Sequence, residues 1–209
     1  MDQQYNFPET LVGDTIILEK LEQFHAEDLY ELIDKNRDYI SIYLPWMTES
    51  YCFEDTAKFI TMKEENFEDQ EGFAYVIIDK DTDAILGSIG ASIKGRGLAE
   101  VGYWLSEDCQ GKGVMTQALD LIIEFAFEDT SIIRIDLYTL PDNEKSMMVA
   151  KRNGFAFEGV RYNHQIDMDG SIIDAVRFTK LKNEEVMQAL KEKEAKLIDV
   201  FDVKPLKTK

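Results

Sequence analysis

The sequence of 209 residues is poor in the side chains that build metal sites. It contains two cysteines, Cys52 and Cys109, and two histidines, His25 and His164. The cysteines lie far apart and belong to no CxxC pair, so we expect no metal site in this protein. Two free thiols in a reducing compartment are the expected state of these cysteines.

Long apolar runs are also missing from the sequence. No stretch approaches the roughly 20 apolar residues that span a bilayer. The N-terminal segment MDQQYNFPET lacks the basic region and the apolar region of a signal peptide. These two absences predict a soluble, cytoplasmic protein that has no membrane partner.

Positive charge is scarce, because 23 lysines and arginines face 41 acidic residues, for a formal net charge of −18. A protein that binds nucleic acid needs a basic face for the phosphates, so we expect no nucleic-acid partner. An acidic surface can attract a cationic partner, such as a polyamine or a basic protein segment. The same surface can serve solubility alone, and composition does not decide between these roles.

The residues that are present predict one α/β (α+β) domain over residues 1–181. Hydrophobic residues make up 44% of the chain, which is ordinary for a folded domain. The order of the hydrophobic patterns predicts helices around a mixed sheet, with a closing hairpin at Asp169-Gly170. The predicted strands are 15–21, 73–79, 85–93, 98–105, 132–139, 155–166 and 171–181, and the predicted helices are 25–35, 53–67, 113–127 and 141–153.

A change of composition predicts that residues 182–209 form an accessory helix and tail. From Asn183 onward the sequence is that of a charged helix. Such a helix could pack on the domain itself or on a second subunit of a homodimer. The apolar positions that follow a weak heptad-like spacing are Val186, Leu190, Leu197 and Phe201.

A short segment with two glycines, QGKGVM, lies between a predicted strand and a predicted helix. Glycine adopts positive φ without steric cost, so Gly111 and Gly113 allow neighbouring backbone N–H groups to converge on an anion. The helix behind them adds unpaired N–H groups and the positive end of its dipole. Lys112 adds a cation at the rim. These features suit a diphosphate, although a GxG turn can also serve backbone geometry alone.

This glycine segment differs from two other phosphate-binding motifs. The dinucleotide fingerprint requires GxGxxG at the first strand of a βαβ unit, and the P-loop requires GxxxxGK[ST]. The segment matches neither spacing, and it follows the fourth predicted strand. Binding of a dinucleotide or of a nucleoside triphosphate is therefore not expected.

The glycine segment resembles the acetyl-CoA loop of the GNAT superfamily of N-acetyltransferases, which reads [QR]xxGx[GA] between a strand and a helix. Gln110 and Gly113 match this pattern, and Met115 departs from its final small residue. The run EVGYWL from Glu100, followed by GKGVMTQAL, is similar to the Rim-type branch of ribosomal-protein N-terminal acetyltransferases. A Met at that position is common in the Rim-type branch.

A second block of the sequence strengthens the resemblance. Asn143, Ser146, Gly154 and Phe155 have the NxxSxxxxxxxGF spacing that is typical of the Rim-type branch. The two motifs occur in the expected order, and the resemblance covers about residues 15–181. It implies the GNAT fold, a mixed and mostly antiparallel sheet in which strands four and five splay apart and acetyl-CoA enters the gap.

The resemblance also implies which residues bind acetyl-CoA. Backbone groups of Tyr103, Trp104 and Leu105 are expected to pair with the pantetheine arm like an added strand. Asn143 is expected to touch the cofactor near its pantetheine end, although an N-cap is an equal alternative for this residue. The residues expected to hold the pyrophosphate are Gln110, Gly111, Lys112, Gly113, Val114, Met115 and Thr116.

The catalytic assignments that follow are Ser146 and Glu100. Many GNAT enzymes carry a Tyr acid seven residues after the Asn, but that position is Ala150 here. In Rim-type enzymes the Ser that matches Ser146 is thought to hydrogen-bond the departing sulfur. Glu100 interrupts an apolar strand beside the splay, and partial burial there would make its carboxylate a stronger base.

Another carboxylate, used as a base in some relatives, falls near Gln165, whose amide cannot act as a base. His164 or Asp167 could substitute for it, although an ordinary surface position on a strand is the simpler interpretation of each.

Three functions remain open at this point. The leading one is acetyl transfer from acetyl-CoA to the N-terminal α-amine of a protein, such as a ribosomal protein, by direct attack with Glu100 as base. The first alternative is a small amine as the acceptor, such as a polyamine, an aminoglycoside or an amino acid. The second alternative is a non-catalytic module that binds acetyl-CoA.

Overall fold

The computed structural model describes residues 5–166 and 170–201, with side chains as far as residue 194, and these residues form one sheet with helices on both faces. The strands are β1 Thr10–Val12, β2 Ile16–Lys20, β3 Gly72–Asp79, β4 Ile85–Ile93, β5 Leu98–Leu105, β6 Arg134–Thr139, β7 Ala156–Ile166 and β8 Ile172–Leu181. Their order in the sheet is β1-β2-β3-β4-β5-β6-β8-β7. Only the pairing of β5 with β6 is parallel, and the other neighbours are antiparallel. The mixed, mostly antiparallel sheet is therefore confirmed.

Six helices lie on the sheet within the described residues. They are α1 Ala26–Lys35, α2 Arg37–Ser41, α3 Phe53–Glu68, α4 Val114–Glu128, α5 Glu144–Arg152 and α6 Glu184–Phe201. In this described part of the chain, none of the helices has both the length and the apolar character that crossing a bilayer requires.

The two faces of the sheet bury separate apolar clusters, because side chains alternate along a strand. On β3, Phe73, Tyr75 and Ile77 join the larger cluster, which includes the apolar face of α4. Ala74 and Val76 point the other way and join a smaller cluster with α1 and α3. This arrangement fixes α4 on one face of the sheet and α1 on the opposite face.

The parallel pair β5 and β6 separates partway along its length. The ladder runs from Leu98 opposite Arg134 to Val101 opposite Leu137. Beyond Val101, β5 continues to Leu105 and pairs with β4 alone, whereas β6 continues to Thr139 and pairs with β8. The expected splay between the fourth and fifth predicted strands is confirmed, and it leaves one backbone edge of β5 without a strand partner in the described chain.

A buried asparagine ties the end of β5 to α1. Asn36 is 6% exposed, and its Oδ1 accepts hydrogen bonds from the Glu107 backbone N–H at 2.9 Å and the Ser106 hydroxyl at 3.2 Å. Its Nδ2 donates to the Leu32 carbonyl at 2.8 Å. A buried amide holds its geometry firmly when its groups are satisfied in this way. Asn36 thus fixes where the glycine loop begins.

Some predicted boundaries and elements differ from the structure. β1 and the short α2 were not predicted, and β6 begins at Arg134, not at residue 132. The helix predicted from residue 141 begins at Glu144, because the Asn143 side chain caps its first turn. Gly154 follows its C-terminus with φ 75°, in agreement with its predicted role.

Two predictions fall partly outside the described residues. The turn predicted at Asp169-Gly170 includes Asp169, which lies outside them, and Asp167 lies outside them as well. In the predicted C-terminal helix, Leu197 and Phe201 have no described side chains. The apolar contact that is described there comes from Met187, which is 1% exposed.

Candidate active site

A cavity of about 730 Å³ opens where β5 and β6 part. Four segments of the chain form its walls: the end of β5, the glycine loop with the start of α4, the end of β6 with the start of α5, and residues 39–45. The bulged strand β7 closes the remaining side. Eleven of the thirteen predicted site residues line this cavity, and they are Tyr103, Trp104, Leu105, Gln110, Gly111, Gly113, Val114, Met115, Thr116, Asn143 and Ser146.

The glycine loop has the backbone conformation that its sequence predicts. Gly111 and Gly113 adopt φ of 72° and 81°, the left-handed region that side chains with a Cβ disfavour. Gly113 is also the N-cap residue of α4, which lacks a side-chain cap. The N-terminus of α4 therefore presents unpaired N–H groups and its positive dipole end at the cavity, as a diphosphate requires.

A second lysine, besides Lys112, stands at the glycine loop. Lys112 is exposed and does not line the cavity. Lys145 does line it, and its Nζ donates to the Gln110 Oε1 at 2.6 Å and lies 5.1 Å from the centroid of the Tyr39 ring. Because Lys145 stands between Asn143 and Ser146 in the second motif, its place in the sequence was a usable signal.

Asn143 and Ser146 meet at the first turn of α5. The Asn143 Oδ1 accepts a hydrogen bond from the Ser146 backbone N–H at 3.0 Å, which is the N-cap expected as the alternative to cofactor contact. The cap uses the oxygen of the Asn143 amide, and its NH₂ group still carries two donors. Since Asn143 also lines the cavity, the cap and a ligand contact are compatible.

A tyrosine hydroxyl approaches Ser146 from β5. The Tyr103 OH lies 3.1 Å from the Ser146 Oγ, and burial raises the pKa of Tyr103, so the phenol stays neutral. The sequence predicts a site role only for the backbone of Tyr103, and Ala150 occupies the position where many relatives have a Tyr. The structure places the phenol of Tyr103, from β5, beside Ser146 in the first turn of α5.

Glu100 lies on β5 before the splay and does not line the cavity. It stands opposite Ser92 on one side and Asp136 on the other. His164 on β7 does line the cavity, and the negative charge of Glu100 acts on it. The structure therefore separates the predicted base from the cavity and brings a histidine to the cavity wall.

No cluster of three or more metal-ligating side chains occurs among the residues that the structure describes. The cavity itself is lined by two cations, Lys145 and Arg152, and by a single carboxylate, Glu144, within the described chain. This balance suits a ligand with several negative charges. It also leaves little acidic lining for a polycation.

The space at Gly102 suits a narrow, extended ligand. Gly102 follows the last β5 residue that pairs with β6, and a Cβ at this position would meet nothing within 4 Å. An extended chain laid along the free edge of β5 could hydrogen-bond to its backbone as a strand does. The cavity, the free strand edge and the glycine loop together fit acetyl-CoA.

Comparisons with known proteins lead to the same family. A family model described as an acetyltransferase (GNAT) domain matches residues 15–156. The chain is 33% identical over 150 residues to the ribosomal-protein-serine acetyltransferase of Escherichia coli (strain K12), a match that covers 71% of this chain and 83% of the relative. It is 31% identical over 154 residues to the probable N-acetyltransferase YjcK of Bacillus subtilis (strain 168), covering 72% and 85%.

A solved structure agrees with these matches. The microcin C7 self-immunity acetyltransferase, in complex with acetyl-CoA and AMP, is similar to this chain with a TM-score of 0.77 and 28% identity. The similarity covers 84% of this chain and 97% of that chain. Acetyl-CoA as the co-substrate is thereby confirmed.

Replacing Gly102 by valine tests the position of the co-substrate. The valine side chain would enter the cavity without displacing protein atoms, so we expect the KM for acetyl-CoA to rise at least about tenfold, which corresponds to about 1.4 kcal/mol. The melting temperature should stay unchanged. Leu98→Val, on the same strand where β5 still pairs with β6, is the matched control. An unchanged KM in Gly102→Val would contradict this placement.

Proposed function

Because the chain belongs to the GNAT acetyltransferase family, in its Rim-type branch, we propose that it transfers the acetyl group of acetyl-CoA to the N-terminal α-amine of a protein. One observation carries the proposal. A free strand edge, a glycine loop at a helix N-terminus and the Ser146 hydroxyl all face one cavity. A pantetheine arm needs the first of these features, a diphosphate the second and a thioester the third.

In this proposal the free edge of β5 from Tyr103 to Leu105 pairs with the pantetheine arm. The loop residues from Gln110 to Thr116 hold the pyrophosphate through backbone N–H groups. Lys145 replaces Lys112 as the nearest cation, since Lys145 lines the cavity and Lys112 does not. Asn143 supports Ser146 through the cap and offers its NH₂ group to the cofactor.

Ser146 is the group we propose for the departing thiolate. When the amine attacks the thioester carbonyl, the C–S bond breaks and negative charge develops on sulfur. A hydroxyl that donates a hydrogen bond there stabilises the transition state more than the ground state. The Tyr103 hydroxyl, 3.1 Å from the Ser146 Oγ, orients this donor.

The acceptor is proposed to be an α-amine for two reasons. A relative that is 33% identical to this chain is named as a ribosomal-protein-serine acetyltransferase. The cavity lining in the described chain carries one carboxylate, Glu144, and two cations, whereas a polyamine would require several carboxylates. A single α-amine places only one positive charge in the cavity.

We propose that Glu100 assists proton removal from that amine indirectly, whereas the sequence predicts it as the direct base. Glu100 is half-buried and lies outside the cavity lining. A carboxylate at this place can act only through a group that does face the acceptor.

The accessory role of the C-terminal helix and a homodimer remain predictions, as does the domain boundary near residue 182.

An acceptor panel tests the proposed function directly. We expect thiol release from acetyl-CoA with a short peptide that begins with serine and has a free α-amine. The same peptide with a blocked N-terminus and an internal lysine should give no release, and neither should spermidine. Comparable kcat/KM with spermidine or with the lysine side chain would overturn the α-amine assignment.

A double-mutant cycle tests the thiolate assignment. Ser146→Ala should lower kcat about a hundredfold with little change in the KM for acetyl-CoA, because the donor acts on the transition state. Tyr103→Phe should lower kcat severalfold by releasing the Ser146 hydroxyl, and the double variant should match Ser146→Ala alone.

Ser41→Ala, on the exposed side of α2, is the control for this cycle. If the two single effects simply add, Tyr103 acts independently of Ser146 and the orienting role is wrong. If Ser146→Ala keeps the kcat of the parent chain, the thiolate assignment itself is wrong.

A further inference from the structure

We propose that His164 is the catalytic base of this reaction, accepting a proton from the acceptor amine, and that Glu100 is a positioning residue that stabilises the resulting imidazolium. The inference rests on the proposed function, since it requires an amine acceptor in the cavity. From the sequence, His164 was only a substitute for the carboxylate base of some relatives, and an ordinary surface position on a strand was the simpler interpretation.

A bulge in β7 turns His164 toward the cavity. Arg161 pairs with Ala175 and Gln165 pairs with Ile173, so three residues of β7 stand opposite one residue of β8. In a regular strand, neighbouring side chains point to opposite faces. His164 and Gln165 nevertheless both line the cavity. Bulges re-aim side chains in this way and are common beside active sites.

A left-handed residue lies within this bulge. Asn163 has φ 53°, a region that asparagine adopts more readily than most residues with a Cβ. The Asn163 backbone N–H donates to the Asp174 Oδ1 at 2.8 Å, which holds the irregular conformation in place. The bulge is therefore a defined feature of β7 at the residue before His164.

The imidazole is held by stacking, and one of its nitrogens has no partner. The His164 ring lies 4.8 Å from the Tyr138 ring with an interplanar angle of 14°. The His164 Nδ1 is inaccessible to solvent and makes no hydrogen bond to any described residue. An unpaired buried polar atom costs about 1–3 kcal/mol. Because Nδ1 is enclosed, the ring can accept a proton from the cavity only through its other nitrogen, Nε2.

The surrounding charges keep His164 in the neutral form that a base requires. Burial lowers the pKa of His164, the cation of Arg161 lowers it further, and the carboxylate of Glu100 raises it. Arg161 and Arg177 also lie over the Tyr138 ring, at 5.4 Å and 5.7 Å from its centroid. Glu100 therefore partly offsets the cost of forming the imidazolium.

Two protons leave the acceptor nitrogen in this reaction, and each has a defined acceptor. The acceptor ammonium gives one proton to the neutral His164 ring, and the lone pair of the resulting amine forms the C–N bond to the acetyl carbon. As the C–S bond breaks, the second N–H proton passes to the departing thiolate. The imidazolium then releases the first proton to water, and one proton per turnover appears in solution.

The principal experiment compares pH profiles of kcat for the parent chain and His164→Gln. The parent kcat should rise with pH through the lowered pKa of His164, which lies below the ordinary value of about 6.5. In His164→Gln, kcat at neutral pH should fall about 10²- to 10⁴-fold. The rise should also move to higher pH, where the amine itself loses its proton. Tyr162→Phe, an exposed position on the same strand, is the matched control.

Glu100→Gln distinguishes a positioning role from a direct one. Because the Glu100 carboxylate raises the pKa of His164, its removal should shift the rise in kcat to lower pH, with a modest loss of rate. If Glu100 were itself the base, Glu100→Gln would abolish the rise and His164→Gln would keep it. That pair of results would overturn the inference.

Two further measurements keep the inference testable if a variant folds poorly. The sequence contains only two histidines, so the imidazole signals of an untagged chain separate His164 from His25 in an NMR titration. The His164 pKa should match the kinetic rise, and a mismatch would contradict the inference.

Added imidazole should restore activity to His164→Gly but not to Ser146→Ala, whereas no rescue of His164→Gly would count against the base role.

The outcomes also separate this inference from the proposed function. If the parent chain acetylates no α-amine peptide, the proposed function fails. If the parent chain is active and His164→Gln keeps its rate and its pH profile, only the assignment of His164 fails.

Discussion

Backbone pairing between β5 and β6 ends at Val101 and Leu137, and the site depends on this separation. A strand edge that loses its neighbour retains N–H and C=O groups that need partners. Each strand is held on its other side, β5 by β4 and β6 by β8, so neither can move across to close the gap. The free edge is thereby kept in place for a ligand.

The surrounding elements hold this gap open. Asn36 fixes the end of β5 against α1, and Gly111 and Gly113 let the chain turn from β5 into α4. The N-terminus of α4 then faces the same cavity as the first turn of α5. The free edge of β5, the glycine loop and the Ser146 hydroxyl are thus brought together by rigid elements, which is the arrangement that precise catalysis requires.

Much of the co-substrate side of the site could be predicted from the sequence, because its determinants are local. Gly111 and Gly113 lie two positions apart in one loop, and Asn143 and Ser146 lie in one helix turn. Short-range spacing in the sequence is therefore enough to find them. The strands were also recognisable, since alternating apolar residues mark them whatever their neighbours are. The resemblance to a known family then supplied the splay, which no local pattern of β5 or β6 reveals.

Other features of the site were harder to predict because their contacts join distant parts of the chain. Tyr103 meets Ser146 across 43 positions, and Lys145 meets Gln110 across 35. His164 reaches the cavity through a bulge that breaks the strand alternation, so periodicity placed it on the surface. Glu100 as the base stays a prediction, and it lies outside the cavity lining, on the part of β5 that still pairs with β6.

A crystal structure of the full chain with acetyl-CoA tests the central claim most directly. The account predicts a pantetheine arm hydrogen-bonded to the β5 backbone from Tyr103 to Leu105 and a pyrophosphate at Gly111 and Gly113. The thioester sulfur should lie within hydrogen-bond distance of the Ser146 Oγ. A cofactor bound outside the gap between β5 and β6, or a sulfur remote from Ser146, would contradict it.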